Sequence, residues 1–222
     1  MVRSIHVVGA GRVGSAVTAR LRERGVELRE RDAELVLLCV PDRAIAECAR
    51  AIEPGPWVAH VSGATPLAAL DPHDRRFSLH SLQTFTLERG PEQLDGAWAA
   101  VTAEADAARA LGRELAGTLG LRPFDLADDA RVLYHAGAAI ASNYLVTLHA
   151  AASELFEAAG APPAALVPLM TRTIENGFQL TGPIARGDWA TVDAHVDAIC
   201  EHRPGLEAMY TVLADATREL AV

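Results

Sequence analysis

A doubly wound, mainly parallel α/β sheet followed by an all-α region is the fold class that this sequence of 222 residues predicts. Three observations predict it. A glycine turn, Gly9-Ala10-Gly11-Arg12-Val13-Gly14, follows a short apolar strand pattern from Ser4 and opens a helical one. Short apolar runs then alternate with helix-compatible stretches as far as Leu126, as in a parallel sheet covered on both faces. From Ala127 no strand pattern remains and alanine- and leucine-rich helical sequence continues, which divides the chain into residues 1–126 and 127–222.

In the glycine turn, Gly9 permits the tight bend, Gly11 leaves room for phosphates against the backbone, and Gly14 lets the helix sit close to the strand. The unpaired N–H groups of that helix's first turn, with its dipole, would face the phosphates, as in the pyrophosphate-binding entry of a Rossmann-type fold. Val13, Val17 and Leu21 repeat at helical spacing to Glu23, and Gly25 ends the helix. Val26–Leu28 is a short second strand, and the apolar run Ala33–Val40 suits a third strand buried on both faces. So few residues separate these two that the usual crossover helix must be abbreviated or missing. Asp42 is placed to cap a helix from Arg43 to Ile52. Strands follow at Trp57–Val61, Phe77–Leu79, Ala97–Val101 and Arg122–Leu126, with a short helix around Pro66–Leu70 and a longer one over Ala105–Leu119. In the second region one helix from Asp129 to Ala159 would span roughly 45 Å. Gly160 stops it, Pro162-Pro163 opens another that runs to Leu180, residues 181–188 break the pattern, and helices at Trp189–Glu201 and Pro204–Leu220 complete it.

Half of the residues are hydrophobic and 22% are charged, which excludes long disordered segments. A net charge of -9 gives no electrostatic reason to approach nucleic acid or an anionic membrane surface. The three cysteines, Cys39, Cys48 and Cys200, have neither metal-ligand spacing nor an even pairing pattern, which fits reduced thiols in a cytoplasmic protein, Cys39 being a small core residue. No apolar run reaches the roughly 18 residues of a membrane span, and the first residues enter a strand without a leader pattern. The expectation is a soluble, unexported protein that acts on a small molecule.

Ligands of open parallel sheets bind beyond the carboxyl ends of the strands. The candidate site is therefore Gly9–Gly14, Arg29–Arg31, Val40-Pro41-Asp42, Ser62-Gly63 and His80-Ser81. Arg29 and Arg31 flank Glu30 after the second strand; bidentate arginines favour the 2′-phosphate of NADP, while the acid leaves NAD possible. A solvated charged turn is the plain alternative. His80 with its neighbouring hydroxyls and Gln83 suits the orientation of a carbonyl or carboxylate, or else satisfies a buried loop carbonyl. On the long helix Ser142 falls nearly in line with His135, with Asn143 offset by about 80°. The small residues between them leave a floor for a ligand; otherwise His135 is a packed core residue.

These motifs, with Ser62-Gly63-Ala64, His80-x-Leu82-Gln83-x-Phe85, Tyr134-His135, Ser142-Asn143, Thr181-Gly182-Pro183 and Arg186-Gly187-Asp188, resemble one family over nearly the whole chain. It is the set of Rossmann-like proteins with a helical C-terminal domain of unknown function, in the 6-phosphogluconate dehydrogenase-like superfamily. The resemblance implies a short NADP-dependent reductase related to ketopantoate reductases, pyrroline-5-carboxylate reductases and 3-hydroxyacid dehydrogenases. Those relatives place a lysine on the long helix with an asparagine one turn later; here His135 is followed one turn later by Ala139, and the asparagine is Asn143.

The leading expectation is hydride transfer from a nicotinamide to a small oxo acid or imine acid. His135 then donates the proton, since imidazole titrates near neutral pH, and Asn143, Ser142 and His80 orient the substrate. Arg186 is placed to pair with a substrate carboxylate, to cap a helix or to pair with Asp188. A nucleotide-responsive protein without turnover and a methyltransferase using S-adenosylmethionine are the alternatives, the latter disfavoured by the all-helical second half. The long alanine-rich helix exceeds the needs of so small a domain and points to a homodimer formed through the helical region.

Overall fold

The computed structural model describes residues 2–221. Seven strands, β1 (Ser4–Val8), β2 (Glu27–Leu28), β3 (Leu35–Leu38), β4 (Trp57–His60), β5 (Arg76–Ser81), β6 (Trp98–Thr102) and β7 (Arg122–Asp125), form one sheet in the order β2-β1-β3-β4-β5-β6-β7. Neighbours are parallel except β5 and β6. The chain between those two carries a 3₁₀ turn, Pro91–Leu94, but no crossover helix to return it to the starting edge, so β6 comes back antiparallel.

Three helices, α1 (Arg12–Glu23), α2 (Asp42–Arg50) and α3 (Asp106–Leu119), cover the sheet. The continuous apolar run of β3 serves both faces. Leu35 and Leu37 join Val17 and Leu21 of α1 and Leu111 and Leu115 of α3, whereas Val36 and Leu38 join Ile45 and Ala49 of α2 with Leu67 and Leu70. No helix lies between β2 and β3, as their close spacing predicts. The chain passes from β1 to β2 on one side and then to β3 on the other, which leaves a crevice at the carboxyl end of β1. At that point Gly9 has φ +111°, and a Cβ there would overlap the Cys39 carbonyl. A Cβ on Gly14 would overlap the Gly9 carbonyl oxygen, while one on Gly11 would meet nothing within 4 Å.

Several local expectations are corrected. Asp42 is the first residue of α2 rather than its cap; Pro41 holds the cap position, and the Asp42 carboxylate accepts a hydrogen bond from Ser62 instead. β5 extends through Ser81, so His80 and Ser81 end the strand rather than follow it. The helix expected over Asp129–Ala159 is segmented into a 3₁₀ turn (Asp128–Ala130), α4 (Arg131–Ala139), a π-turn (Ile140–Tyr144) and α5 (Leu145–Ala158). The π-turn holds Ser142 and Asn143, residue types whose polar side chains compete with the helical ladder. The next helix, α6 (Leu166–Glu175), ends five residues before Leu180 because Gly177 and Phe178 both take positive φ and close its last turn.

The chain forms two compact units, one ending at Ile140 and the other beginning at Ala141, so α4 packs with the sheet unit. The second unit contains α5, α6, α7 (Trp189–His202) and α8 (Glu207–Glu219). Asp188 caps α7 through the Thr191 N–H at 3.2 Å and its hydroxyl at 2.7 Å, with exposed Arg186 nearby. Helices α7 and α8 meet through His195 Nδ1 and the Tyr210 hydroxyl at 2.7 Å, and Arg218 lies over the Trp189 ring. Among the described residues of this unit only Ala151, Leu166, Val192 and Ile199 are buried, whereas Val146, Leu169, Phe178 and Val212 are exposed. No helix among the described residues is long and apolar enough to cross a membrane.

The last two glycines of the turn, Gly11 and Gly14, differ in a measurable way. Gly14→Ala is expected to lower stability by about 1–3 kcal/mol through overpacking, whereas Gly11→Ala costs less than about 1 kcal/mol. Urea unfolding of both variants checks this, and equal losses would contradict the packing described.

Candidate functional site

The carboxyl ends of β1, β3, β4 and β5 line a cleft of about 430 Å³. At its edge Gly11 caps α1 without a side-chain bond, and no acid stands in the first turn, so the Arg12, Val13 and Gly14 amides have no side-chain acceptor there. Val40 and Pro41 follow β3 along one wall. Cys39 beside them carries a thiol that burial pushes up to about 12. A second hollow of about 520 Å³ opens at the opposite strand ends, around Glu34, Trp57 and Arg75. There Arg75 stacks over Trp57 at 4.7 Å and donates to the Gly55 carbonyl, so its charge is already engaged.

The β4 end is held by polar contacts. The Ser62 hydroxyl donates to Asp42 Oδ2 at 2.8 Å, lies 2.9 Å from the Thr65 hydroxyl, and accepts from the Thr65 amide at 3.0 Å. The Ser62 amide donates to Nδ1 of His60 at 3.2 Å, which leaves the neutral ring's proton on Nε2. Burial, then the Arg131 charge, pushes His60 down to about 3.

Arg131, the first residue of α4, is 1% exposed. Its Nη1 donates to the Thr102 hydroxyl at 2.9 Å, its Nη2 donates to the Ser62 carbonyl, and its Nε lies 3.9 Å from Asp128 Oδ1. Burial pulls the guanidinium below the usual arginine range, and Asp128, Tyr134 and Asp42 oppose that. Asp128 also accepts from the Leu67 amide at 3.0 Å. These bonds tie the start of α4 to the ends of β4 and β6.

One turn further, α4 delivers Tyr134 and His135 beside β5. The Tyr134 hydroxyl lies 2.8 Å from His80 Nδ1, and the His80 and His135 ring centroids are 6.0 Å apart. Gly63 forms the floor between the histidines: a Cβ there would stand 2.6 Å from His135 Cδ2 and 2.8 Å from His80 Nε2. Burial, followed by His135 and Arg131, pushes His80 down to about 4, and burial raises Tyr134 to about 12. At neutral pH His80 is an uncharged imidazole and Tyr134 an intact phenol.

The fold thus gathers Gly11, Arg12, Val13, Val40, Pro41, Ser62, His80 and His135 around one cleft, with Gly9 and Gly14 shaping the turn behind it. The Ala10 carbonyl accepts from the Ser15 hydroxyl at 3.1 Å. Arg29 and Arg31 are exposed in the loop after β2, outside the cleft lining, and Arg29 pairs with Glu27 at 2.7 Å. Ser142 and Asn143 belong to the second unit and lie in the π-turn Ile140–Tyr144, which interrupts the 3.6-residue register on which their expected alignment with His135 rests. His60, Thr102, Asp128 and Arg131 are absent from the sequence-level site. A charged residue opening an apolar helix and a histidine closing an apolar strand were the only local signs of them.

The family model described as "Domain of unknown function (DUF2520)" matches residues 97–217, more than half of the chain. The chain belongs to this family. No curated protein matches its sequence. Among solved structures, the protein TM1727 from Thermotoga maritima is 23% identical with a TM-score of 0.80, and a candidate NADP oxidoreductase from Bacteroides fragilis is 21% identical with 0.81; each comparison covers 98% of both chains. A 1-pyrroline-5-carboxylate reductase from Streptococcus pyogenes is 14% identical with a TM-score of 0.61, covering 98% of this chain and 97% of that one. These likenesses extend the Rossmann-type sheet and helical region of this DUF2520 protein to proteins of closely similar length.

His60, which is buried, and His80, which is half-buried, carry a pH signature. Both are lowered in the folded state relative to an ordinary histidine, so below about pH 6.5 the unfolded chain binds protons that the native state refuses, and stability falls with acidification. Between pH 6.5 and 5, before most carboxylates titrate, each costs about 1–2 kcal/mol. Urea midpoints across that window are expected to fall more steeply in the parent than in His60→Asn; parallel slopes would mean that His60 protonates freely in the native protein.

Proposed function

We propose that this protein is an NADP-dependent oxidoreductase that reduces a small oxo acid or imine acid by hydride transfer, with NAD as a possible second cofactor. The observation that carries this reading is the cleft between the glycine turn and the His80–His135 pair, at the crevice where ligands of such sheets bind. The residues fit a dinucleotide: the position a Gly11 side chain would fill is open, and the first turn of α1 is uncapped by any side chain. The resemblance to nicotinamide-dependent reductases and the named activities of the Bacteroides fragilis and Streptococcus pyogenes proteins support the same class.

When bound, the nicotinamide supplies hydride chemistry. The α1 amides hold the pyrophosphate, and Gly9 and Gly14 keep that helix end against β1. Arg29 and Arg31, beyond β2, recognise the 2′-phosphate. Val40, Pro41 and Ser62 form the wall against which the cofactor lies. His80 orients the substrate oxygen or nitrogen, and His135 gives its proton to that atom as charge develops on it. Ser142 and Asn143 are assigned to substrate orientation from the helical region. A homodimer formed through that region completes the reading, because a unit with so few buried side chains and so many exposed apolar ones needs a second copy to cover them.

Calorimetry is expected to show NADPH binding more tightly than NADH, a preference reduced in Arg29→Ala and Arg31→Ala, and binding abolished in Gly11→Trp while the fold persists. Equal or tighter binding of NADH would transfer the ribose contact to Glu30. Screening oxo acids and cyclic imines for NADPH oxidation identifies the substrate, and on it His135→Ala is expected to lower kcat about 100- to 10,000-fold with cofactor affinity unchanged. Tight NADPH binding with no turnover across the screen would favour the non-catalytic nucleotide-binding reading.

Light scattering at micromolar concentration is expected to give twice the chain mass, and a monomer there would remove the dimer.

A further inference from the structure

A chain of aromatic rings ends in the cleft: Trp98 meets Phe124 at 6.3 Å, Phe124 meets Tyr134 at 5.9 Å, Tyr134 meets His80 at 5.5 Å, and His80 meets His135 at 6.0 Å. Phe124 on β7 fixes the Tyr134 ring from one side, and the Tyr134 hydroxyl lies on Nδ1 of His80. The other ring nitrogen, Nε2, is on the Gly63 side, where the cleft lies.

A hydroxyl–imidazole bond holds one proton, so two arrangements exist. Either Tyr134 donates to Nδ1 and the neutral ring keeps its hydrogen on Nε2, or Nδ1–H donates to the phenol oxygen and Nε2 faces the cleft as an acceptor. In the second case the phenol proton needs another acceptor, and among the described residues the Tyr134 hydroxyl makes no other recorded hydrogen bond. The first arrangement leaves only Nε2–H, on the cleft side, without a protein partner among the described residues, whereas the second leaves both the phenol proton and Nε2 without one. The depressed His80 and the raised Tyr134 agree with a neutral ring beside an intact phenol. A parallel stands on the neighbouring strand β4: the His60 ring accepts at Nδ1 from the Ser62 amide, a group that can only donate.

We propose that Tyr134 is a positioning residue that holds His80 as its Nε2–H tautomer, so that the cleft wall presents a neutral N–H donor to the substrate atom that gains charge. The tautomer itself is independent of any cofactor, while the donor role rests on the reductase reading of the cleft. An uncharged donor stabilises developing negative charge without first giving up a proton of its own, leaving proton delivery to His135.

Ring-nitrogen NMR of the ligand-free, ¹⁵N-labelled protein between pH 6 and 8 tests it, with His80→Asn assigning the resonances and His60 serving as an internal reference. The expected result is a His80 pattern matching His60, with hydrogen on Nε2 and none on Nδ1. In Tyr134→Phe, with its circular dichroism unchanged, His80 alone is expected to lose that fixed pattern. An Nδ1–H form in the parent overturns the proposal whatever the variant does, and so does a His80 pattern that survives in a folded Tyr134→Phe. On an identified substrate Tyr134→Phe is expected to lower kcat/KM about tenfold, the worth of one hydrogen bond, and an unchanged value removes the donor role. Absence of NADPH binding by calorimetry would instead overturn the reductase reading and leave the tautomer result standing.

Discussion

The buried guanidinium of Arg131 is the contact on which the site depends. It enters the protein at the first residue of α4, yet its hydrogen bonds end on Ser62 after β4 and on Thr102 at the end of β6. Without it the first turn of the helix carrying Tyr134 and His135 loses its bonds to the ends of β4 and β6, leaving Tyr134 on His80 as that helix's polar contact with a strand end, and the Ser62 carbonyl loses its donor. Burying such a charge costs several kcal/mol, which the two hydrogen bonds from Nη1 and Nη2 and the Asp128 carboxylate 3.9 Å from Nε offset in part, Nε itself having no hydrogen-bond partner among the described residues. Removing one member of such a buried set leaves the others uncompensated, typically at about 3–5 kcal/mol.

That charge also sets the electrostatics around it. Buried His60 and half-buried His80 lie within its field, and both are disfavoured as cations by burial first and by Arg131 in addition. The local cluster therefore concentrates its positive charge in one fixed guanidinium and keeps these imidazoles neutral, as hydrogen-bonding groups rather than ions. Asp42 balances this from the other side: its carboxylate accepts from Ser62 and acts on Arg131 in the opposite sense. At Gly63 a Cβ would stand within 3 Å of the His80 and His135 rings, so a side chain there would force at least one of the two rings to move.

The two units solve the burial problem differently. In the sheet unit β3 contributes to both faces and the two apolar clusters close around it. In the helical unit, Ala151, Leu166, Val192 and Ile199 are the buried side chains among the described residues, and apolar side chains such as Val146, Leu169 and Val212 are exposed. Alanine supports helix formation at little side-chain entropy cost but buries little area, so helices of this composition form readily and leave apolar surface uncovered.

The sequence by itself determined the features whose causes are local. The glycine turn, the double-faced strand at Leu35–Leu38, the missing crossover between β2 and β3 and the helical second half were legible because chain conformation, two-residue or 3.6-residue periodicity and loop length fix them within a few neighbours. Tertiary structure alone decided the rest. The reversal of β6 depends on which edge the chain can reach, and the π-turn at Ile140–Tyr144 splits a pattern that reads as one continuous helix. Arg131 with Ser62 and Tyr134 with His80 join residues 69 and 54 positions apart, and Asp42 reaches across 20 positions to Ser62 rather than capping its own helix. A buried polar group takes whichever partner the fold sets beside it, because leaving it unpaired costs more than any local preference gains, and that partner is not written in the neighbouring sequence.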